Sequence, residues 1–326
     1  MPRTGLRSEA LPLAGLAGAV FLWGTSFAAT KAALTGFGPL AVVGMRMLAA
    51  SAMMSVLWPR LPRPVRRPGD VRLLLILVAV WPCLYFTLEG NALKLTTSSQ
   101  AGTVSALVPL LVAVGARLFL AERLARQAIV GLVVSIAGVV ALSLGGPAES
   151  QAPNPALGNL LEVLAMASYA ASTLLVKTLV GRYDSWLLTG LGCLAGAIAF
   201  LPALLTTPLH DWQAAPPEAW AGVLYLGLLV TLLPNGLYNL AVSRMPAGRA
   251  AMAINLVPVV ALLSGWAVQG DTLSVLQGIG CASILGGVLL GQSRSLRVMA
   301  EPAPETLAAE IRRPERARSG QETAAD

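Results

Sequence analysis

Arg46, Glu89 and Glu162 are the residues of this chain whose type and placement invite chemistry, because each sets a charge inside a run of mostly apolar residues. Ionisable groups so placed are rare and mark ion pairs, proton relays or binding sites. With a helical rise of about 1.5 Å per residue, Arg46 falls roughly 11 Å from the nearer end of its run. Glu162 falls at a comparable or shallower depth in its own run, and Glu89 lies near the end of a third. All three are expected in the same half of a bilayer, where they can meet. Two readings of the trio stand side by side. One is a structural ion pair or interfacial group; in the other, Arg46 holds a carboxylate, or a glutamate takes up and releases a proton.

Other residues in the apolar runs could join such a site. Trp23, Tyr85, Tyr169 and Tyr238 lie near run centres or outer halves and suit a cavity lining; for Trp23, beside Gly24, tight helix packing is an equal reading. Pro82, Pro109, Pro234 and Pro258 each remove a backbone donor, which frees the carbonyls of Val78, Ser105, Val230 and Ile254. In lipid those groups must find partners, so the kinks are expected to face protein or a water-filled cavity. Asn255, three residues before Pro258, belongs to the same opening. The plainer reading is a set of packing kinks satisfied by Ser and Thr neighbours. Trp58, Trp186 and Trp212 fall near run ends, as an aromatic belt does.

The elements that must position these residues are membrane helices. The chain has 326 residues, 56% hydrophobic and only 12% charged, with a mean hydropathy of +0.70. Soluble domains carry about 25% charged residues, so a soluble fold is excluded. A bilayer core needs roughly 20 apolar residues per helix, and ten such runs can be marked. The first five are residues 12–34, 38–58, 73–92, 99–120 and 128–145; the second five are 157–178, 186–206, 218–240, 248–269 and 273–292. The first run follows Arg3 and Arg7 as a leader peptide would, but it continues to Ala33 and reads as a retained span.

The sequence also repeats itself. Shifted by 149 positions, Pro109 falls on Pro258, Glu122 on Asp271, Gly131 on Gly280 and Gly138 on Gly287. A proline, an acid at the next turn and two glycines seven apart are structural punctuation, and their recurrence marks a duplicated unit. The expected architecture is an all-α integral membrane protein of ten helices, with units at 12–145 and 157–292 and a disordered cytoplasmic tail at 293–326. Five spans per unit is odd, so the units sit in opposite orientations, with sites near the midplane between them. The four glycines permit close helix approach, at a seam between repeats or between two copies of the chain in a homodimer.

The basic residues set the orientation. With a cytoplasmic N-terminus, 20 of the 23 fall in inside segments, among them Arg60, Arg63, Arg66, Arg67 and Arg72. Lys31 and Lys94 alone lie outside, with Arg46 within a span. This asymmetry predicts both termini in the cytoplasm, and it explains the net charge of +7 without nucleic acid. Three lysines against twenty arginines in an Ala- and Leu-rich chain fit a GC-rich bacterial genome, and the expected location is the bacterial cytoplasmic membrane. Cys83, Cys193 and Cys281 are far apart and His210 is the only histidine, so no metal site is expected. There is no GxxxxGK[ST] loop for ATP and no catalytic constellation. The partners expected are the lipid bilayer and a small-molecule substrate, with no cofactor.

The order of motifs resembles the EamA family of the drug/metabolite transporter superfamily. Leu22-Trp23-Gly24-Thr25-Ser26-Phe27, Lys31, Pro39 and Arg46 open the first unit, followed by Asn91-Ala92-Leu93, Pro109-Leu110, Glu122 and the Gly131 to Gly138 stretch. The second unit carries Tyr169-Ala170, Lys177, Asn239-Leu240-Ala241 and Pro258. It departs from the first at Gly192, where a counterpart of Arg46 would stand, and at Asp271, where the family usually has glutamate. The resemblance covers residues 12 to 292 and implies a secondary carrier, commonly an exporter of amino acids or related metabolites. It adds Asn91 and Asn239 to the expected substrate contacts. A membrane enzyme or lipid-handling protein on the same fold is the alternative, and the sparse catalytic inventory argues against it.

Overall fold

The computed structural model describes residues 5–62, 64–119, 126–145, 152–179, 182–242 and 255–300, and only the backbone of 5–12, 239–242 and 292–300. Eight helices are long and apolar enough to cross a membrane. They are α1 (Gly5–Ala33), α2 (Pro39–Leu57), α3 (Asp70–Leu95), α4 (Ser98–Phe119), α5 (Arg126–Leu144), α6 (Pro155–Leu179), α7 (Ser185–Thr206) and α8 (Pro217–Tyr238). Two follow whose apolar parts are shorter, α9 (Val257–Gln269) and α10 (Val275–Ala300). Helix α10 thus runs to Ala300, into what composition alone assigns to a disordered tail. Glu122, Ile254 and residues 301–326 lie outside the described residues.

Local chemistry explains where the helices begin. Pro39 opens α2 directly after the extended Gly38, a position where proline's missing N–H costs nothing. Gly69, at φ 90°, precedes α3 in a left-handed conformation that a side chain disfavours. Thr97 accepts from Gln100 N at the head of α4, and Asp184 accepts from Trp186 N at the head of α7.

The prolines act differently from simple mid-helix kinks. Pro109, Pro234 and Pro258 are each the second residue of a helical segment: Val108–Phe119, Leu233–Val242 and Val257–Ser264. They restart helices rather than interrupt them. Pro82 lies in a widened turn, Ala79–Leu84, where Trp81 leaves the helix at φ −140°, ψ 121°. There the carbonyl of Val80 accepts from Ser168 Oγ of α6 at 2.8 Å.

The connections fall at two ends. At one, Asn154 N donates to Leu95 O at 3.1 Å, Ser274 Oγ donates to Gly145 O, and Phe37 packs against Trp212 and Trp220. At the other, Val65 N donates to Arg182 O at 3.1 Å, and Arg182 pairs with Asp70 at 2.6 Å. The Trp186 ring packs against Gly236 of α8.

Helices α5 and α10 form the closest seam. A Cβ on Gly138 would come within 2.7 Å of Gly280 O, and one on Gly280 within 2.7 Å of Gly138 O. Gly131 and Gly287 approach each other in the same way. Between these pairs, Ser135 Oγ donates to Ile284 O at 3.1 Å, and the two residues are 149 positions apart. That is the repeat offset, so a residue meets its own equivalent. Gly131 meets the equivalent of Gly138, and Gly138 the equivalent of Gly131. This is the reciprocal contact pattern of a two-fold interface. The register runs antiparallel, which places the two-fold across the helices.

Candidate functional site

Arg46 lies seven residues from Pro39, Glu89 six from Leu95 and Glu162 seven from Pro155, so each sits roughly 9–11 Å along its helix from the same end of the bundle. The three come together. Arg46 Nη1 is 4.0 Å from Glu89 Oε2, its Nε donates to Thr231 Oγ1 of α8 at 3.3 Å, and its guanidinium carbon stands 4.3 Å from the centroid of the Phe86 ring. Glu89 also accepts from Tyr85 OH at 2.5 Å. Both members of the pair are only about 5% exposed, so the low-dielectric surroundings strengthen their attraction while raising the cost of separating them.

Glu162 is different. It is fully buried, within electrostatic reach of Glu89 and Tyr85, yet among the described residues neither of its carboxyl oxygens has a hydrogen-bond partner. A bare ionised carboxylate in such a place is costly unless a proton, a partner or a bound solute compensates its charge.

The aromatic residues extend the cluster as a row. The Tyr85 and Tyr169 rings are 5.5 Å apart, Tyr169 lies within electrostatic reach of Tyr238, and Tyr238 meets Trp23 at 5.9 Å. Arg46, Tyr85, Glu89 and Trp23 come from the first repeat; Glu162, Tyr169, Thr231 and Tyr238 come from the second. The site is therefore shared between the repeats. Gly24 packs on Val260 of α9, which leaves its neighbour Trp23 to the row. Gly192, where the second repeat lacks an arginine, makes room for the Trp81 ring.

Of the remaining expected residues, Asn91 and Asn255 have described side chains. Asn91 Nδ2 donates to Thr87 O of its own helix at 2.7 Å. Asn255 lies half-buried just before α9, and the side chain of Asn239 is outside those described. Thr231 and Phe86, which the sequence reading missed, complete the arginine's surroundings. Thr231 had one faint signal, a hydroxyl in an apolar run three residues before Pro234.

A second polar layer, also missed, closes the end nearest this site. Asn159 Nδ2 donates to Gln100 Oε1 at 2.9 Å and to Ser143 Oγ at 3.0 Å, and Thr96 Oγ1 is 2.9 Å from Asn159 Oδ1. Lys31 Nζ donates to Leu93 O and Thr96 O at 3.0 and 2.6 Å. The signal was the unbroken polar stretch Thr96 to Gln100.

Comparison with known proteins fits this geometry. The family model described as "EamA-like transporter family" matches twice, at residues 11–144 and 156–291. "Uncharacterized transporter YetK" of Bacillus subtilis is 25% identical, with 89% of each chain covered. A "probable terminal-alkyne amino-acid exporter" of Streptantibioticus cattleyicolor is 27% identical over 85% of this chain and 92% of that one. A "probable amino-acid metabolite efflux pump" of Salmonella typhimurium is 27% identical over 83% and 91%. A solved structure titled only as a crystal structure of a protein shares the fold with a TM-score of 0.60 at 22% identity, covering 91% of this chain and 99% of its own. With two matched repeats across a multi-pass helical bundle, the chain belongs to the EamA-like transporter family.

Proposed function

We propose that this protein is a secondary carrier that exports small polar or amphipathic metabolites, such as amino acids or related compounds, across a bacterial cytoplasmic membrane. The observation that carries this reading is the buried cluster of Arg46, Glu89 and Glu162, built by both repeats and set well inside the bundle. In-span charges at a repeat interface are where carriers hold their solutes. The ten helices span as two inverted units with both termini in the cytoplasm, and the antiparallel α5–α10 seam supports that inversion. Rocking of one unit against the other exposes the cluster to each side in turn. The names of the two amino-acid exporters among the relatives support the substrate class.

The test is counterflow in inside-out vesicles and proteoliposomes against a panel of zwitterionic, acidic and basic amino acids and simple amines. At least one member should accumulate above protein-free controls. A flat response across the whole panel removes the reading.

A further inference from the structure

The two acids of the site are in unlike positions. Glu89 is held by Tyr85 and faces Arg46, whereas Glu162 is buried with both oxygens bare. One guanidinium serves two carboxyls, and the site is neutral only while Glu162 keeps its proton.

Among the described residues, no other group neutralises Glu162. From α3, Tyr85 and Glu89 face Glu162; Arg46 of α2 reaches it only through Glu89. The other described charges on packed helices are Asp70 and Arg72 of α3, Arg117 of α4, Arg126 of α5 and Lys177 of α6 itself, all at the opposite ends of their helices. Lys94 of α3 is at the near end, but it is exposed. Asn159, one turn away, already donates to Gln100 and Ser143.

Resting on the carrier reading above, we propose that Glu162 is the proton-exchange site of the transport cycle and that the solute exchanged for its proton is a singly charged organic cation, either an amine or a dibasic amino acid. On the cytoplasmic side the O–H bond of the Glu162 carboxyl breaks and the proton passes to water. The solute ammonium takes its place and donates hydrogen bonds to the two bare oxygens. On the outer side the cation leaves and the carboxylate takes a proton from the external water. One proton moves inward for each cation moved outward, and the site stays neutral throughout. A net-neutral zwitterion cannot do this, because it would leave the buried site with an uncompensated negative charge.

The experiment uses the full-length purified protein with L-lysine, n-pentylamine and L-leucine as probes. By infrared difference spectroscopy, lysine or n-pentylamine should remove the C=O band of a protonated carboxylic acid and release a proton to a pH dye, while leucine should do neither. Glu162→Gln, which mimics the neutral acid in shape, should lack both signals. In proteoliposomes it should lose proton-linked cation exchange, and Glu162→Asp should keep exchange with a shifted pH profile. Cation binding without loss of the carboxylic acid band, or exchange that survives unchanged in Glu162→Gln, overturns the proposal. If leucine moves while no cation exchanges for protons, the carrier reading stands and this assignment falls. If no solute of any class moves, both fall. Should Glu162→Gln fail to fold, the wild-type infrared signal and the Glu162→Asp profile decide.

Discussion

The carboxylate of Asp271, between α9 and α10, accepts a hydrogen bond at 2.9 Å from the backbone N–H of Ser99, 172 positions away in the other repeat. Ser98 Oγ donates to the same oxygen at 3.0 Å. An acid of the second repeat thus caps the head of a first-repeat helix, in the same end region as Lys31. Asp271→Ala removes that cap and leaves a buried N–H unsatisfied. A loss of about 0.5–2 kcal/mol is expected, read as a lower thermal midpoint in detergent. An unaltered midpoint would show that the contact is incidental.

Arg46 and Glu89 should be coupled. Removing one partner of a buried pair leaves an uncompensated charge, at a cost of about 3–5 kcal/mol. Arg46→Gln alone should therefore lower yield and thermal stability, and Arg46→Gln with Glu89→Gln should recover part of the loss. Additive losses in the double variant would mean that the 4.0 Å separation carries no coupling. If Arg46 instead holds a substrate carboxylate, Arg46→Gln should express well, fail with acids and zwitterions, and gain nothing from the second change.

The α5–α10 seam supplies its own control. A Cβ at Gly280 meets the Gly138 carbonyl and the α5 backbone, whereas Gly278 and Gly286 have nothing within 4 Å. Gly280→Ala should cost about 1–3 kcal/mol through forced separation of the helices. Gly278→Ala and Gly286→Ala should not destabilise. Equal effects at all three positions would contradict the close approach.

Topology can be mapped with single cysteines on a background in which Cys83, Cys193 and Cys281 are replaced by serine. Asp211 and Arg66 lie in connections at opposite ends of the bundle. An impermeant thiol reagent added to intact cells should label Asp211→Cys and leave Arg66→Cys untouched until the membrane is permeabilised. Labelling of Arg66→Cys in intact cells would overturn the cytoplasmic placement of the termini.

The helical membrane architecture was legible because burial in lipid forces long apolar runs, and the duplication because glycines and prolines keep their spacing. Charge within such runs likewise pointed to Arg46, Glu89 and Glu162. Depth along a helix follows from counting residues, so their common level could be anticipated. What periodicity cannot supply is azimuth and partner. Nothing in the sequence says that the Arg46 guanidinium lies over Phe86, or that Glu89 rather than Glu162 faces it. Pro109 and Pro258 looked like kinks because their runs appear continuous in hydropathy. Their role as helix starts depends on backbone turns just before them, which hydropathy does not register. The polar stretch Thr96 to Gln100 was visible, but its pairing with Asn159 of α6 was hidden because all the members are uncharged and Asn159 is about 60 residues away.

The seam at Ser135 and Ile284 has a consequence for ancestry and assembly. A helix face that complements its own antiparallel copy is, in a five-helix ancestor, already a dimer interface. Such a half-length protein needs no partner of different sequence, only copies inserted both ways up. Joining two such copies in one chain would fix that pairing and free each half to differ, as Arg46 and Gly192 do, the latter lying against the Trp81 ring. That self-complementary surface is consumed inside the chain. Any association between whole chains must use another face.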